Sequence, residues 1–354
     1  MSVNPGSLTD SSKITLQIGN EKLSGFSGLQ VSLGIDTGAN AFSFTVPWVN
    51  TPENIDRFKP FRPDKVFIRI DGELILTGYI DITSWTISEG QNILNVQGRS
   101  ASAPIVDYSA GPPFQFQDIT FNDFGREMWK AVGGTSGGAV AIAIPDTDKI
   151  SEISIDPGET LYDVVSKLAS ANGLWAIPTP TGELSYQKIK STSISVATLE
   201  EGKGPVKSVT ASADITKRFQ KYMVIGTFDG NPESTAEISD PETFGLAIRG
   251  RKIVPLSQQT TDMDQAVRFL RSTALIDSYS ASCEVEGWHY NGNLWRPGTI
   301  MTLKAPSAYI NKPSRFMIRN VTLQLDESGG QIAGLELSIP EAYDGTEPKV
   351  LPWQ

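Results

Sequence analysis

Apolar and polar residues alternate along several short stretches in the first hundred residues of the chain. A period of two is typical of β-strands that bury one face, and turn-forming residues separate the stretches. The alternating stretches lie at residues 14–18, 29–35 and 42–46 and within a block from 61 to 98. Roughly six short strands are enough to close or nearly close a small barrel. The pattern predicts a first β-barrel-like domain over residues 1–103.

The block at residues 61–98 has a second copy at residues 295–338. In both blocks an aromatic-Arg-Pro sequence leads into an alternating strand, and a Ser-x-Gly-Gln turn precedes the last strand. Unlike the short units of a solenoid, each copy is long enough to bury its own core. We therefore predict a second, similar β-barrel-like domain over residues 208–344. The shared features are Phe61-Arg-Pro and Trp295-Arg-Pro, and the turns Ser88-Glu-Gly-Gln and Ser328-Gly-Gly-Gln.

The period changes to that of a helix after a proline- and glycine-rich loop. Apolar residues fall on one helical face after Thr120 and again after Thr160, and both threonines are placed to cap their helices. Short strands accompany the helices at residues 140–144, 150–155, 174–177 and 183–186. The pattern predicts a small α/β insert domain over residues 104–188.

Residues 189–207 contain one or two strands that we expect to complete the first β-domain. A third helix, capped by Thr261 or Asp262, lies within the second β-domain. The acidic stretch 229–242 predicts an irregular excursion, and residues 345–354 predict a tail that is ordered only where a partner holds it. The predicted fold class is mainly β, with two similar β-barrel-like domains and a small α/β insert.

Composition restricts the function more than the fold. The 354 residues are 39% hydrophobic and 20% charged, as in ordinary folded proteins, and the formal net charge is −10. An acidic chain is a poor match for a surface that grips phosphates, but it suits a conduit along which DNA moves. Residues 1–13 lack the apolar core of a secretory signal, and no membrane span is expected. The single cysteine, Cys283, excludes an internal disulfide framework and is compatible with a reducing cytoplasm.

One stretch carries a pattern that occurs at hydrolase nucleophiles. Residues 134–138, Gly-Thr-Ser-Gly-Gly, match G-x-S-x-G, with Ser136 as the nucleophile and the only histidine, His289, as its base. That motif needs a strand before it and a helix after it, whereas here a helix precedes and a strand follows. We therefore interpret the stretch as a helix-to-strand loop and His289 as a histidine at a strand end, and we expect no catalytic site.

A metal site is not expected either. With one histidine and only Cys283 as a thiol, one chain cannot assemble a transition-metal site of the common N/S type. Asp229, Asn231 and Glu233 resemble the start of a calcium loop but lack its later bidentate glutamate. A solvated acidic loop is the simpler interpretation.

Two further patterns are too weak to predict a cofactor or a reaction. Gly202-Lys-Gly-Pro lacks the glycine spacing and the Ser/Thr of a phosphate-binding loop. Glu284 and Glu286 share one face of a strand, but two acids on an acidic protein are weak support for glycosidase chemistry. We expect no cofactor and no enzymatic activity.

Four segments spread along the chain carry a more specific signal. They are Ile155-Asp-Pro-Gly-Glu-Thr-Leu-Tyr-Asp-Val-Val, Gly173-Leu-Trp with Gly182-Glu-Leu, Arg218-Phe-Gln-Lys-Tyr-Met-Val-Ile-Gly and Trp295-Arg-Pro-Gly. With them the chain resembles, over nearly its whole length, the Mu-like baseplate hub proteins of contractile-tailed phages. These belong to a wider group that includes the late control D proteins and the larger T4-type hub. These motifs are structural signatures and identify an architecture rather than a chemistry.

The resemblance implies a homotrimeric ring in which the two β-domains of each chain alternate, so that three chains present six similar faces. Such a ring would join the sixfold tail tube to the threefold central spike, contact other baseplate proteins and leave a channel for DNA without specific binding. The resemblance also implies a LysM-like or related insert, no membrane insertion, and a place in the tail baseplate of a virion assembled in the host cytoplasm.

Two other classes of function are open at this point. A peptidoglycan-binding or cell-wall-degrading tail protein would act through the insert, and pull-down of segment 104–188 on purified cell wall would reveal it. A secreted β-sandwich adhesin is disfavoured by the missing signal sequence.

Overall fold

The computed structural model describes residues 12–131, 141–142, 149–171, 173–228, 231–241, 250–256, 263–326, 328–346, 348 and 350–354. Its strands are β1 (Ile14–Ile18), β2 (Glu21–Leu23), β3 (Ser27–Gly34), β4 (Ala41–Pro47), β5 (Lys65–Ile70), β6 (Glu73–Ser88), β7 (Gln91–Ser100), β8 (Gln115–Thr120), β9 (Ala141–Ile142), β10 (Lys149–Ser154), β11 (Trp175–Pro178), β12 (Leu184–Gln187), β13 (Ser195–Glu200), β14 (Val206–Ala213), β15 (Lys221–Phe228), β16 (Asn231–Ser239), β17 (Arg251–Leu256), β18 (Tyr279–Glu286), β19 (His289–Tyr290), β20 (Asn293–Leu294), β21 (Ile300–Ala305), β22 (Ile310–Leu325) and β23 (Gln331–Ser338). The helices are α1 (Pro52–Arg57), α2 (Pro104–Asp107), α3 (Phe121–Ala131), α4 (Leu161–Ala171), α5 (Met263–Ser278) and α6 (Glu341–Asp344), with 3₁₀ turns at Ile215–Lys217 and Pro306–Ala308. The prediction of a mainly β fold is confirmed.

The first copy of the repeat forms an antiparallel meander of β5, β6 and β7. Buried positions alternate in β5 and β7 as the sequence predicts, with Val66 and Ile68 of β5 fully covered, whereas residues 75–78 of β6 are all buried. A β-bulge interrupts the pairing of β6 with β7 at Asp81. On its far side β7 pairs with β4, and β4 pairs with β3.

The second copy repeats this meander strand for strand in β21, β22 and β23. β22 is 16 residues long, as is β6, and its bulge opposite β23 falls at Arg319, the position that matches Asp81. The predicted equivalence of residues 61–98 and 295–338 is confirmed in strand order and register. Lys65 lies opposite Tyr79 in the first copy, and the corresponding pair in the second copy is Ile300 opposite Met317. Ile80 lies opposite Gly98 in the first copy, and the corresponding pair in the second is Ile318 opposite Leu337.

The two copies diverge where the chain enters the meander. Trp295 is 2% exposed in the second copy, whereas Phe61 of the first copy is fully exposed and has a φ of 62°. Two similar tripeptides therefore place their aromatic rings differently, one in the core and one in solvent.

The turn before the last strand also differs between the copies. In the second copy the turn is one residue longer, and the carboxylate of Asp326 accepts hydrogen bonds from the backbone N–H groups of Ser328 and Gly330. Leu325 pairs with Gln331 where Ile87 pairs with Asn92. The predicted match of the two Ser-x-Gly-Gln turns is therefore displaced by one residue.

One continuous sheet joins the two copies. β3 of the first copy pairs antiparallel with β22 of the second, with Val31 opposite Leu323 and Leu33 opposite Val321. All four side chains are buried, and one hydrophobic cluster spans both copies. The expectation that each copy buries its own core is therefore wrong, because strands of both copies cover the same apolar residues. Through the described residues the strand order is β14-β18-β23-β22-β3-β4-β7-β6-β5-β1-β2.

Residues 189–207 join the second copy and not the first. β13 runs parallel to β21, and its Leu199 is buried there. Arg315 of β22 donates to the carbonyl oxygens of Ser191 and Ser193 at 2.7 and 2.6 Å, which fixes the segment beside the second copy. The prediction that these residues complete the first β-domain is wrong.

The insert has a hydrophobic core of its own. α3 and α4 pack against β8 and β10 and against β11 and β12, and β9 pairs parallel with β12. The hydroxyl oxygens of Thr120 and Thr160 accept hydrogen bonds from the backbone N–H groups of Asp123 and Asp163, at 3.1 Å in each case. Both predicted caps are therefore confirmed. Trp175 reaches out of this unit, since its indole N–H donates to the carbonyl oxygen of Tyr343 at 2.8 Å.

A separate three-stranded sheet follows in the second half of the chain. β15 pairs antiparallel with β16 and parallel with β17, and α5 packs on them through Ala266, Val267 and Ala274. The prediction of an irregular excursion is wrong over residues 231–239, which form β16. The predicted helix caps Thr261 and Asp262 lie outside the described residues.

The last residues pack on the chain itself. Leu351 is buried in the main core, and the ring of Trp353 lies 4.7 Å from that of Tyr279. The prediction of a tail that needs a partner for order is corrected, because its apolar side chains are covered within the same chain.

Candidate assembly surface

The exposed face of the central sheet carries mainly uncharged polar side chains. Because side chains alternate along each strand, one face of the sheet packs on the core and the other faces solvent. On the solvent side, serine, threonine, asparagine and glutamine predominate from β14 across to β6. We call this surface the polar face. It consists of Thr210, Ser212, Ser282, Glu284, Glu336, Arg319, Asn320, Thr322, Gln30, Ser32, Ser43, Asp81, Gln97 and Arg99.

A groove crosses the polar face in the first copy, lined in part by Phe42 and Gly98. The β-bulge brings Asp81 beside Arg99, whose Nε donates to the aspartate at 2.7 Å. The other two guanidinium nitrogens donate to both carboxylate oxygens of Asp107, at 2.9 and 2.7 Å. This forked hydrogen bond from Arg99 holds the pKa of Asp107 below its usual value.

A second groove crosses the polar face at the matching position of the second copy. Each groove has a volume of about 340 Å³, and the bulge residues Asp81 and Arg319 lie at corresponding points of their walls. The two grooves are therefore one feature of the fold that is present twice. In the first groove Gln30 lies opposite Ser43, and the corresponding pair of the second groove is Thr210 opposite Ser282. In the same way, Ser32 opposite Ala41 in the first groove corresponds to Ser212 opposite Ser280 in the second.

The arginines of the polar face are neutralised within the chain. Arg99 is paired with two aspartates, and Nη2 of Arg319 lies 3.7 Å from a carboxylate oxygen of Asp36. Glu336, in the second groove, accepts from the side-chain amide of Asn320 at 2.6 Å. The grooves can therefore contact a polar protein surface, but they offer phosphate no excess positive charge.

His289 ties the start of the chain to both copies. Its Nδ1 lies 3.2 Å from Oγ of Ser12, and its Nε2 lies 3.5 Å from a carboxylate oxygen of Asp71 in the β5–β6 turn. The side-chain amide of Gln331 accepts a hydrogen bond from the backbone N–H of Ser12 and donates one to the carbonyl oxygen of Ser12, both at 3.2 Å. In a serine hydrolase triad Nε2 faces the serine and Nδ1 the aspartate. Here the nitrogens are exchanged and Ser12 is 9% exposed, so we interpret the group as a structural contact.

Replacing His289 by alanine is expected to lower the free energy of unfolding by about 0.5–1.5 kcal/mol, the usual net contribution of a hydrogen bond. Denaturant unfolding measures this change, and His289→Gln, which keeps a side-chain donor and acceptor, is the matched control. Tail assembly should be unchanged in both variants. A cell-wall lytic activity that disappears with the histidine would contradict the structural interpretation.

The remaining candidate residues stay apart from one another. Cys283 is buried in β18, and burial raises the pKa of its thiol to about 12, as for a packing residue. Glu284 and Glu286 are exposed along the same strand, and Glu284 accepts from the hydroxyl of Ser208 at 3.0 Å.

No metal or phosphate site forms from the other candidates. Lys203 pairs with Glu200 at 2.7 Å, and Asn231 and Glu233 lie in a strand rather than in a calcium loop. Ser136, with its glycine-rich stretch, and Asp229 lie outside the described residues. Across the ranges that the structure describes, no three His, Cys, Asp or Glu side chains are placed to hold a metal ion, and no helix is both long and apolar enough to cross a membrane.

The polar face was not predicted from the sequence. Its one local signal is the run of small alternating residues in β14 and β18, where Thr210 and Ser212 are exposed on either side of Ala211, which packs on the core. The bulges at Asp81 and Arg319, which shape the grooves, have no such signal, because an outward charged residue looks the same in a regular strand.

Two family models match adjacent parts of the chain. The model of the Mu phage baseplate assembly protein GpP-like, N-terminal, matches residues 13–100, and that of the baseplate hub protein gp44-like, second domain, matches residues 102–188. The baseplate hub protein gp44 of Escherichia phage Mu is 25% identical over 353 residues, which cover 94% of this chain and 89% of the relative.

Solved structures share the fold. The tail protein from Neisseria meningitidis MC58 has a TM-score of 0.80 at 18% identity, over 96% of this chain and 100% of that chain. The 43 kDa tail protein of prophage MuSo2 from Shewanella oneidensis has a TM-score of 0.74 at 21% identity, over 94% and 99%. The matched domains are those of phage baseplate proteins, and the fold is that of phage tail proteins. The chain is similar to the Mu-like baseplate hub proteins over nearly its whole length, which confirms the resemblance in the sequence.

Proposed function

We propose that this baseplate hub protein assembles as a homotrimeric ring that joins a sixfold tail tube to a threefold central spike. The observation that carries the proposal is the duplicated sheet unit, with matching strand lengths, registers and grooves in its two copies. Three chains with two units each provide six similar positions around an axis, and the chain symmetry itself remains threefold. One ring can therefore face a sixfold partner on one side and a threefold partner on the other.

The ring leaves a channel through which DNA passes without being bound specifically. Two features support this part of the proposal, namely the net charge of −10 and the pairing of Arg99 and Arg319 with carboxylates on the polar face. Binding to nucleic acid depends mainly on lysine and arginine that replace counterions on phosphates. A wall with paired cations and excess acid lets the polymer slide.

The function of the chain is structural on this proposal. Its partners are the tail tube protein, the central spike protein and other baseplate proteins, and it acts in the virion after assembly in the host cytoplasm. The small α/β insert is a LysM-like or related unit by resemblance. The hydrogen bond from Trp175 to the carbonyl oxygen of Tyr343 attaches it to the second copy.

The proposal predicts a particle of about 115 kDa, three times the chain mass of 38.4 kDa. Size-exclusion chromatography with light scattering measures this mass on the full-length protein, and images of the particles should show a ring with a central opening. A nonspecific duplex DNA should not be retained by the ring at physiological salt. A monomer at all concentrations, or tight salt-dependent DNA binding, would contradict the proposal.

A further inference from the structure

Within the chain, the joint between the two copies has two parts. In the first, β3 of the first copy adds to the long strand β22 of the second. In the second, the β5–β6 turn of the first copy meets the start of the second copy, where Asp71 approaches His289 and Glu73 forms an ion pair with Arg296. Both parts use elements that exist twice in the chain. Each element therefore has a counterpart that this joint does not use.

The counterparts of the paired strands are open edges within the described part of the chain. β14 matches β3, but it pairs only with β18 there. β6 matches β22, and beyond Ile80 it pairs only with β7. Unpaired edges invite uncontrolled association, and proteins usually protect them with charge, as the edge strand β2 does with Glu21 and Lys22. By contrast, residues 82–88 and 209–213 carry no charged side chain.

We propose that β14 of one chain adds to β6 of the next and so repeats the internal joint between chains. This inference rests on the trimeric ring proposed above and names the strands that close it. Because the contact is head-to-tail and resembles the internal one, three chains return to the starting point with six similar joints. The register carried over from β3 and β22 places Ser212 opposite Ser84, Ala211 opposite Trp85 and Thr210 opposite Thr86.

Side chains on the solvent side of this register are compatible. In the internal joint, the hydroxyl oxygens of Ser32 and Thr322 lie 3.4 Å apart. The matching pair between chains is Ser212 with Ser84, which again brings two hydroxyl groups together. The polar face therefore continues across the boundary between chains without a charge in the way.

Side chains on the core side of this register also fit. Trp85 is half-buried against Trp48, and it comes opposite the small side chain of Ala211. The next pair along the strands is Ile87, which is 63% exposed, opposite Val209. Pairing of the strands removes these apolar groups from water, which favours association.

The second part of the joint also has unused counterparts. Tyr309, in the β21–β22 turn, matches Asp71 of the β5–β6 turn, and the two have similar φ angles of 58° and 51°. Tyr309 is 76% exposed, and Phe61, at the start of the first copy, is fully exposed. When β14 adds to β6, Tyr309 of one chain approaches Phe61 of the next. Two aromatic rings that a monomer leaves in water then cover each other.

Cysteine cross-linking of the full-length protein tests the register. Oxidation of the Ser84→Cys/Ser212→Cys variant should give a covalent trimer on a non-reducing gel, and each single variant should not. Ser84→Cys/Ser208→Cys is the matched control out of register, since Ser208 lies four residues along the same face of β14. Ser32→Cys/Thr322→Cys, at the internal joint, should cross-link within one chain. The native Cys283 is buried and remains protonated, so it does not compete.

The outcomes separate this contact from the ring itself. The strand pairing is overturned if the protein is trimeric by light scattering but the Ser84→Cys/Ser212→Cys variant does not cross-link, or if the Ser84→Cys/Ser208→Cys control cross-links better. The proposal of a trimeric ring is unaffected by either result. A native protein that is monomeric overturns both.

Charge placed on the exposed aromatic residues gives an independent test. Phe61→Asp and Tyr309→Asp should each convert trimer to lighter species in light scattering at concentrations where the native protein is trimeric. Ile194→Asp is the control, because Ile194 is 89% exposed but lies beside β13, away from the proposed joint. Unchanged trimer in both aromatic variants, or equal loss in the control, overturns the aromatic contact.

Discussion

Leu323→Ala is expected to lower the free energy of unfolding by about 2–5 kcal/mol and to loosen both copies of the repeat together. Leu323 is fully buried in β22 and lies opposite Val31 of β3, at the joint between the copies. Removing its side chain leaves a cavity that strands of both copies line. Because one hydrophobic cluster covers the two copies, the loss is not confined to the copy that carries the substitution.

Native-state hydrogen exchange measures where the loss occurs. Protection should fall by similar factors in β7 of the first copy and in β23 of the second. Leu184→Ala is the matched control, since Leu184 is equally buried but belongs to the separate core of the insert. Protection lost in β21 to β23 alone would mean that the copies unfold as independent domains, each with its own core.

The features predicted correctly are those that a short window of sequence determines. Alternation in the two meanders depends only on which side of each strand is buried, and a period of two shows this directly. The caps at Thr120 and Thr160 depend on residues three positions apart. The duplication was visible because both copies keep these local patterns.

The features that were missed depend on which strands become neighbours. Ser32 and Thr322 are 290 residues apart in sequence yet face each other across β3 and β22. Alternation identifies the buried face of a strand but not the strand beside it. For the same reason β13 was recognised as a strand but assigned to the wrong copy, and the two copies were expected to have separate cores.

β16 was missed because its composition is that of a loop. The strand begins Asn231-Pro-Glu-Ser-Thr, which contains residues that are depleted in strands. Its place is fixed by pairing with β15 and by a buried ion pair at its end, and both of these are tertiary.

The buried ion pair leads to the prediction with the largest expected loss. Arg218→Ala should lower the free energy of unfolding of the small sheet by about 3–5 kcal/mol. The guanidinium of Arg218 forms two hydrogen bonds with the carboxylate of Asp240, at 2.9 and 2.6 Å, and the two side chains are only 10% and 4% exposed. Truncation leaves a buried carboxylate without its guanidinium, and this desolvation cost is larger than the net contribution of the pair itself. Arg218 is the first residue of one of the segments that resemble the hub family. Its ion pair with Asp240 links the start of β15 to the end of β16.

Denaturant unfolding with a set of matched variants tests this interpretation. Arg218→Lys keeps the charge but loses the planar fork, so it should fall between the native protein and Arg218→Ala. The double variant Arg218→Met/Asp240→Leu should recover most of the stability, because no charge is left buried. Lys221→Ala, which removes the exposed pair with Glu237 in the same sheet, should cost less than about 1 kcal/mol. An Arg218→Ala cost as small as that of Lys221→Ala would show that the carboxylate of Asp240 is hydrated in solution, and that packing of Tyr222 and Val224 against α5 is what stabilises the sheet.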